Sequence, residues 1–316
     1  MKTTEYWQGM LKTGRAVLVS TVCGIVLGAM TLSVAGAAEA VYKTPEEALA
    51  AFRAAVDTPN GKGLLELFGP EHANDLIGGD PAAARQGVAE LRAAVATGMA
   101  LEKNDDDTMT LVIGRQAWPM PIPLVKGEKG WSFDVDAGLE EINDRRIGRN
   151  ELSAIAFCNA YMVAQQEYAG ADHDGDRVLE YAQKIVSDPG SRDGLYWEAE
   201  ADGELSPFAA FVADAAEYLE YRQTDEPFRG YNFKVLTGQG ANPPGGAYSF
   251  VINGNMIAGY GLVAWPADYG RSGIMTLVCS HHGEILEKDL GADTEKVAAA
   301  MKTYDPDDSW TPAEDE

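Results

Sequence analysis

Cysteine is scarce: three in 316 residues, at Cys23, Cys158 and Cys279, too few for a disulfide framework. Positive charge is scarce as well. Lys and Arg total 25 against 49 Asp and Glu, a net charge of -24. Nucleic acid and anionic membrane surfaces would be repelled by such a field, whereas solubility, cationic ligands or metal ions suit it, a plain solvated surface being the ordinary reading. Four histidines occur, at His72, His173, His281 and His282. No H-E-x-x-H, C-x-x-C, G-x-S-x-G or phosphate-loop motif is present. His281-His282-Gly283 reads as a solvated hairpin turn whose adjacent side chains point to opposite faces, a poor metal pair. Asp268, Ser272 and His281 can be drawn as a triad, but no spacing demands it. No catalytic residue and no cofactor is therefore nominated from these motifs.

The chain does have a long apolar run, Ala16 to Ala38, preceded by Lys12 and Arg15 and closed by small A-x-A residues. Residues 1–38 are read as a secretory signal peptide, with a retained anchor as the alternative because the run approaches bilayer length. Val22 before Cys23 does not suit lipoprotein processing. The expected location is periplasmic or secreted, in a Gram-negative envelope, with no membrane span after cleavage. Removal takes Lys2, Lys12, Arg15 and Glu5, leaving a mature charge of -26. Hydrophobic residues make up 46%, enough for a folded core. Cys158 and Cys279 remain, either bridged or as two separate buried thiols.

Residues 42–138 are expected to form an α+β roll. Thr44-Pro45-Glu46-Glu47 is a capping box, and Leu49, Phe52 and Val56 share a helical face. Short helices over 63–68 and 81–96 follow, then strands at 109–113, 122–125 and 131–135. Helices first and a bent antiparallel sheet after resembles the nuclear transport factor type. Trp118 and Trp131 are candidates for core packing or a pocket. Pro119, Pro121 and Pro123 keep one strand at an edge.

Residues 139–186 are expected to be a central helical segment. A long helix, Asn150 to Tyr168, carries Leu152, Ile155, Met162 and Val163 as its buried stripe. Arg145, Arg146 and Arg149 form the dense basic cluster, either an anion or carboxylate site or partners for acids such as Glu141. In the acidic turn after the helix, Asp172, Asp174 and Asp176 alternate and Glu180 follows, as at the start of a calcium loop. Arg177 stands where such loops turn on Gly, and Gln183 where they end on Glu. A Ca2+ site is thus possible by spacing. The favoured reading has Arg177 neutralise the turn and Asp176 cap a second helix from Val178.

Residues 187–304 are expected to form an antiparallel sheet domain. An aromatic loop, Tyr196-Trp197, comes first, then a helix over 207–221. Strands follow at 231–235, 247–252, 256–265, 273–280 and 284–289, with a hairpin at Asn253-Gly254. A helix over 292–304 and a loose acidic tail, 305–316, close the chain. The fold class is α+β: an N-terminal roll, a long central helix and a C-terminal antiparallel meander with flanking helices.

Six stretches in order, RIGRNELSAI, DHDGDRVLEYA, PGSRDGLYW, GYNFKVLTGQG, PGGAY and LVAWPADYGRSGIMT, resemble a bacterial secreted family known as domain-of-unknown-function family 2950. The resemblance covers nearly the whole mature chain and implies location and fold, but no activity. Its pattern usually carries Gly where this chain has Arg177. The D-x-D-G-D, G-Y-x-F and A-x-P-x-x-Y-G-x-x-G stretches are also similar to the globular sheet of pilin-like proteins, without a pilin N-terminus. The expected function is non-catalytic binding or scaffolding, with a small ligand or another envelope component as partner. Candidate binding residues are Arg145, Arg146, Arg149, Tyr196 and Trp197. The alternative is a periplasmic hydrolase using carboxylates of the Asp172–Glu180 turn, with or without a divalent cation.

Overall fold

Thr44 starts the first helix of the described residues as the capping box requires. Its Oγ1 accepts the Glu47 N–H at 3.3 Å and Pro45 follows as the first helical residue. The computed structural model describes residues 40–78, 80–198, 203, 205–222 and 226–313. The expected signal segment lies outside them. Among the described residues no helix is long and apolar enough to cross a membrane. Helix α1 (Pro45–Val56) buries Ala48, Phe52, Ala55 and Val56. Helices α2 (Lys62–Phe68), α3 (Ala73–Ile77) and α4 (Pro81–Thr97) follow.

The first antiparallel sheet comprises β1 (Met99–Lys103), β2 (Thr108–Ile113), β3 (Trp118–Pro119), β4 (Leu124–Gly127) and β5 (Gly130–Phe133). Its order is β1-β2-β4-β5, with β3 on β2. Phe52, Phe68 and Phe133 meet with centroids 5.6 to 6.2 Å apart and lock helices to sheet. Trp131 is core, whereas Trp118 is 45% exposed. The short β3 holds Pro119 at the edge, where its missing N–H costs no ladder bond.

Helix α5 runs unbroken from Val135 to Tyr168, 34 residues, so it begins before the expected boundary at 138/139. Asp134 Oδ1 caps it by accepting the Ala137 N–H at 3.1 Å. Gly138 lies against Ile122, where an added Cβ would stand 2.6 Å from Cγ1. The C-terminal half of α5 is the spine of the larger core. Its buried stripe is Ala154, Phe157, Cys158, Tyr161, Ala164, Gln165 and Tyr168. Two members of the expected stripe therefore face outward: Val163 is 67% exposed and Leu152 45%. Ile155 is buried and Met162 half-buried. The helix turns its small and aromatic residues inward because the partner sheet is close and supplies rings. Phe157 stacks on Phe233 at 3.8 Å and meets Phe208 and Phe211 at 5.2 Å.

No helix follows the acidic turn; the segment after it is extended, for reasons given with the site below. Helices α6 (Ala209–Asp214) and α7 (Ala216–Tyr221) divide the expected 207–221 helix at Ala215. Strand β6 (Tyr231–Leu236) enters the second large sheet, and β7 (Gly238–Gln239) pairs with β8 (Tyr248–Ser249). The hairpin β9 (Val251–Ile252) and β10 (Asn255–Met256) turns on Asn253 and Gly254 with φ of 54° and 99°. Strands β11 (Gly261–Pro266), β12 (Met275–Ser280) and β13 (Ile285–Asp289) form the meander. Helix α8 (Thr294–Ala300) and strand β14 (Thr311–Pro312) follow, giving the sheet order β14-β13-β12-β11-β6. The expected loose tail is tied down: β14 pairs with β13, and Ala313 N–H donates to Ile285 O at 2.9 Å.

Cys158 and Cys279 are both free and buried, and Cys279 Sγ lies 4.0 Å from Cys158 O. Burial pushes the Cys279 thiol well up.

The two cores meet along α5. Buried Arg146 donates to the carbonyls of Asp75 and Leu76, and Asn143 and Asn150 donate to Gly270 O and Ser272 O at 3.0 and 2.9 Å. Arg271 pairs with Asp75 at 3.0 Å, and Arg85 with Glu226 at 2.5 Å.

The stripe makes opposite demands at neighbouring positions. Val163→Asp should change stability by no more than about 0.5 kcal/mol, whereas Phe157→Ala should cost about 3–5 kcal/mol. Urea unfolding of both variants checks this. A large loss in Val163→Asp would mean that this face is covered.

Candidate functional site

Gln165 builds the first site. Its amide is fully buried, and it donates to Ala182 O and accepts the Ala182 N–H, both at 2.9 Å. Tyr181 N–H donates to Met256 O at 2.8 Å, and Glu180 Oε2 accepts the Met256 N–H at 3.0 Å. Gln183 Nε2 donates to Gly254 O at 2.6 Å. Tertiary partners thus take the backbone groups that a second helix would need, and the segment runs extended between α5 and the β9–β10 hairpin.

The acidic turn is stitched together by its own carboxylates. Asp172 accepts the Gly175 and Arg177 N–H groups at 2.8 and 2.9 Å. Asp174 accepts Asp176 N–H at 3.1 Å, and Asp176 accepts Val178 N–H at 2.7 Å and Asn255 Nδ2 at 2.6 Å. Arg177 itself adopts the left-handed conformation, φ 70°, that a glycine would supply. Its guanidinium makes no ion pair among the described residues, so backbone N–H groups offset the charge that Arg177 was expected to neutralise. Those bonds hold the Asp172 carboxyl below its ordinary range. Glu180 is pushed up, first by burial and then by Asp174 and Asp176. Oxygens of Asp172, Asp174 and Asp176 lie within 4.8 Å of one another, all exposed, so these three could ligate a divalent cation. Glu180 is turned toward Met256 instead.

Beside the turn lies a cleft of about 980 Å³. Asp174 and Glu180 line it together with Tyr196 and Trp197, so four of the nominated residues share one concavity. Val186 bridges to Tyr196, which carries the aromatic loop onto the extended segment. His173 stacks on Tyr168 at 4.1 Å and sits 5.6 Å from Trp197. Lys184 is claimed by Asp188 and Asp193, and the Arg192 guanidinium lies 5.6 Å from the Trp197 ring centroid. Among the described residues, five carboxylates line the wall against two cations, Lys184 and Arg192.

The arginine cluster divides. Arg145 pairs with Glu141 at 2.5 Å on the exposed face of α5. Arg146 and Arg149 line a second cleft, of about 650 Å³, against α2, α3 and α4. Sequence reasoning missed Arg229 and Tyr218, which reach that cleft from the other half of the chain. The triad drawn on paper does not exist: Ser272 Oγ bonds to the Asp268 backbone, and His281 lies beyond the far end of β12. The two adjacent histidines point the same way, contrary to the alternation expected. Their rings are 4.3 Å apart, and they bond to Tyr248 and Gln239 at 3.2 and 2.8 Å.

Residues 39–313 match the family model described as "Protein of unknown function (DUF2950)". No curated protein matches, and no solved structure matches.

Arg177→Gly relieves a left-handed non-glycine residue and should stabilise by about 0.5–1 kcal/mol, read as a higher melting temperature. Carboxyl NMR should place the Asp172 midpoint below that of an ordinary aspartate and the Glu180 midpoint above that of an ordinary glutamate. The signs for stability then differ. The Asp172 contribution is present above its unfolded pKa and fades as pH falls, whereas the Glu180 contribution fades as pH rises through its raised value.

Proposed function

We propose that this chain, which belongs to the DUF2950 family, is a non-catalytic binding protein of the bacterial envelope whose acidic-aromatic cleft receives a cationic group. The observation that carries this reading is the convergence of Asp174, Glu180, Tyr196 and Trp197 on one cleft. Rings and carboxylates together suit an ammonium or guanidinium, which the ring faces attract and the acids neutralise. The mature charge of -26 would steer such a group inward. Export is part of the proposal and rests on the apolar run from Ala16 to Ala38 after Lys12 and Arg15.

Hydrogen bonding supports binding over hydrolysis. Asp172, Asp174, Asp176 and Glu180 each accept at least one backbone N–H. Carboxylates so committed form a fixed rim rather than a proton shuttle. A divalent cation on the three aspartates would sit beside the cleft, which Asp174 alone of the three lines, and compete there with a cationic ligand.

Spermidine titrated into the isotopically labelled mature protein should shift the Trp197 indole N–H and the Tyr196 and Glu180 amides saturably. Tyr196→Ala and Glu180→Gln should each weaken the effect about fivefold or more. Small shifts spread over the whole acidic surface, unaltered in both variants, would contradict the assignment. Expression in a Gram-negative host should yield a periplasmic protein beginning near Ala38 or Val41. An intact N-terminus in the membrane fraction would overturn that part.

A further inference from the structure

The second cleft carries a different chemistry, independent of the first. It lies between α5 and the layer of α2, α3 and α4. Its walls include Leu65, Leu76, Ile77, Val88, Leu91 and Ile142, all half-buried, so the helical layer leaves a band of aliphatic surface uncovered. Helix α3 has no fully buried residue at all. Apolar side chains left half-covered along one concave wall fit an apolar ligand better than water.

The polar lining of the cleft is mainly cationic in a protein that is otherwise strongly acidic. Arg85, Arg146, Arg149 and Arg229 line it, against the carboxylates of Asp80 and Glu90. Arg85 is taken by Glu226. Arg146 is spent on the carbonyls of Asp75 and Leu76 and on Asn143. Arg149 and Arg229 have no carboxylate partner among the described residues. Arg149 Nε donates to the Arg145 carbonyl at 3.2 Å, and the Arg229 guanidinium lies 4.9 Å from the Tyr218 ring centroid. In a chain with 49 acids and 25 bases, two arginines that meet no carboxylate and share one cleft are informative.

Arg229 is also held at a cost. Its backbone is left-handed, φ 47°, and its N–H donates to Tyr218 Oη at 2.8 Å. The Tyr218 hydroxyl lies 3.1 Å from each oxygen of buried Asp80. An α4 cap from one half of the chain thus positions an arginine from the other. Gly87 adds a further sign. It sits inside α4, where glycine weakens the helix, and a Cβ there would meet nothing within 4 Å. It lines the cleft.

We infer that this cleft binds an amphiphilic carboxylate, its head on Arg149 and Arg229 and its aliphatic tail along the α2–α4 wall. Two guanidinium forks match the two oxygens of a carboxylate. A single negative charge is also the head least opposed by Asp80 and Glu90.

The test uses the full mature protein and a dansylated undecanoic acid as fluorescent probe. Saturable binding is expected, with displacement by laurate and not by dodecanol. Arg149→Gln and Arg229→Gln should each weaken it about tenfold, the loss of one charge-assisted contact. Gly87→Leu should block the cleft while raising the melting temperature, because leucine favours the helix and meets open space. Tyr196→Ala, in the other cleft, should leave the probe affinity unchanged, which separates this inference from the binding reading above. Absence of saturable binding would overturn it, as would equal displacement by dodecanol and laurate. Unaltered affinity in a folded Gly87→Leu protein would do the same. Tighter displacement by a lysophosphatidate than by laurate would replace the carboxylate with a phosphate head.

Discussion

The buried amide of Gln165 is the contact on which the acidic-aromatic cleft depends. It donates to the Ala182 C=O and accepts the Ala182 N–H, as a neighbouring strand would. Burying an amide without partners costs about 1–3 kcal/mol, so α5 and the extended segment specify each other at this point. Once Ala182 is fixed, Tyr181 and Glu180 fall against Met256, and Gln183 reaches Gly254. The acidic turn is then strung between the end of α5 and the β9–β10 hairpin, and its carboxylates have defined N–H partners. Tyr196 follows through its bridge to Val186.

Much of the architecture was legible because it rests on local chemistry. Thr44 and Pro45 announce α1, Asp80 and Pro81 announce α4, and Asn253-Gly254 announces the hairpin. The meander strands show through their β-rich composition. What stayed hidden depends on tertiary partners. The inward face of α5 was misjudged because Val163 and Leu152 are the greasier residues, while the sheet accepts Cys158, Tyr161 and Gln165. The absent helix after Val178 has the same origin. Asp176 accepts the Val178 N–H as a cap would, but Gln165 and Glu180 divert the peptides that must follow. The tail looked loose by composition, yet its edge pairing to β13 requires the folded sheet.

The sites were legible as residue types and not as groupings. The basic run marked Arg146 and Arg149 but could not separate them from Arg145, whose fate is set by Glu141 one turn away. Nor could it reveal Arg229, 80 residues beyond Arg149, which only packing brings to the same cleft. Oxygens of Asp172, Asp174 and Asp176 do lie together, whereas Glu180, nominated with them, does not join the group. That Arg177 would itself take the left-handed turn was not foreseeable, since propensity argues against it. Among the described residues, one cleft is thus lined by carboxylates and rings and another by arginines over aliphatic walls.

Hydrogen exchange on a Gln165→Leu variant tests the central dependence most directly. The expected result is loss of protection at Tyr181, Ala182 and Tyr196, with the amides of β11 and β12 still protected, because the helix and meander do not need the clamp. Unchanged protection at Ala182 would contradict the claim that Gln165 holds the segment that shapes the cleft.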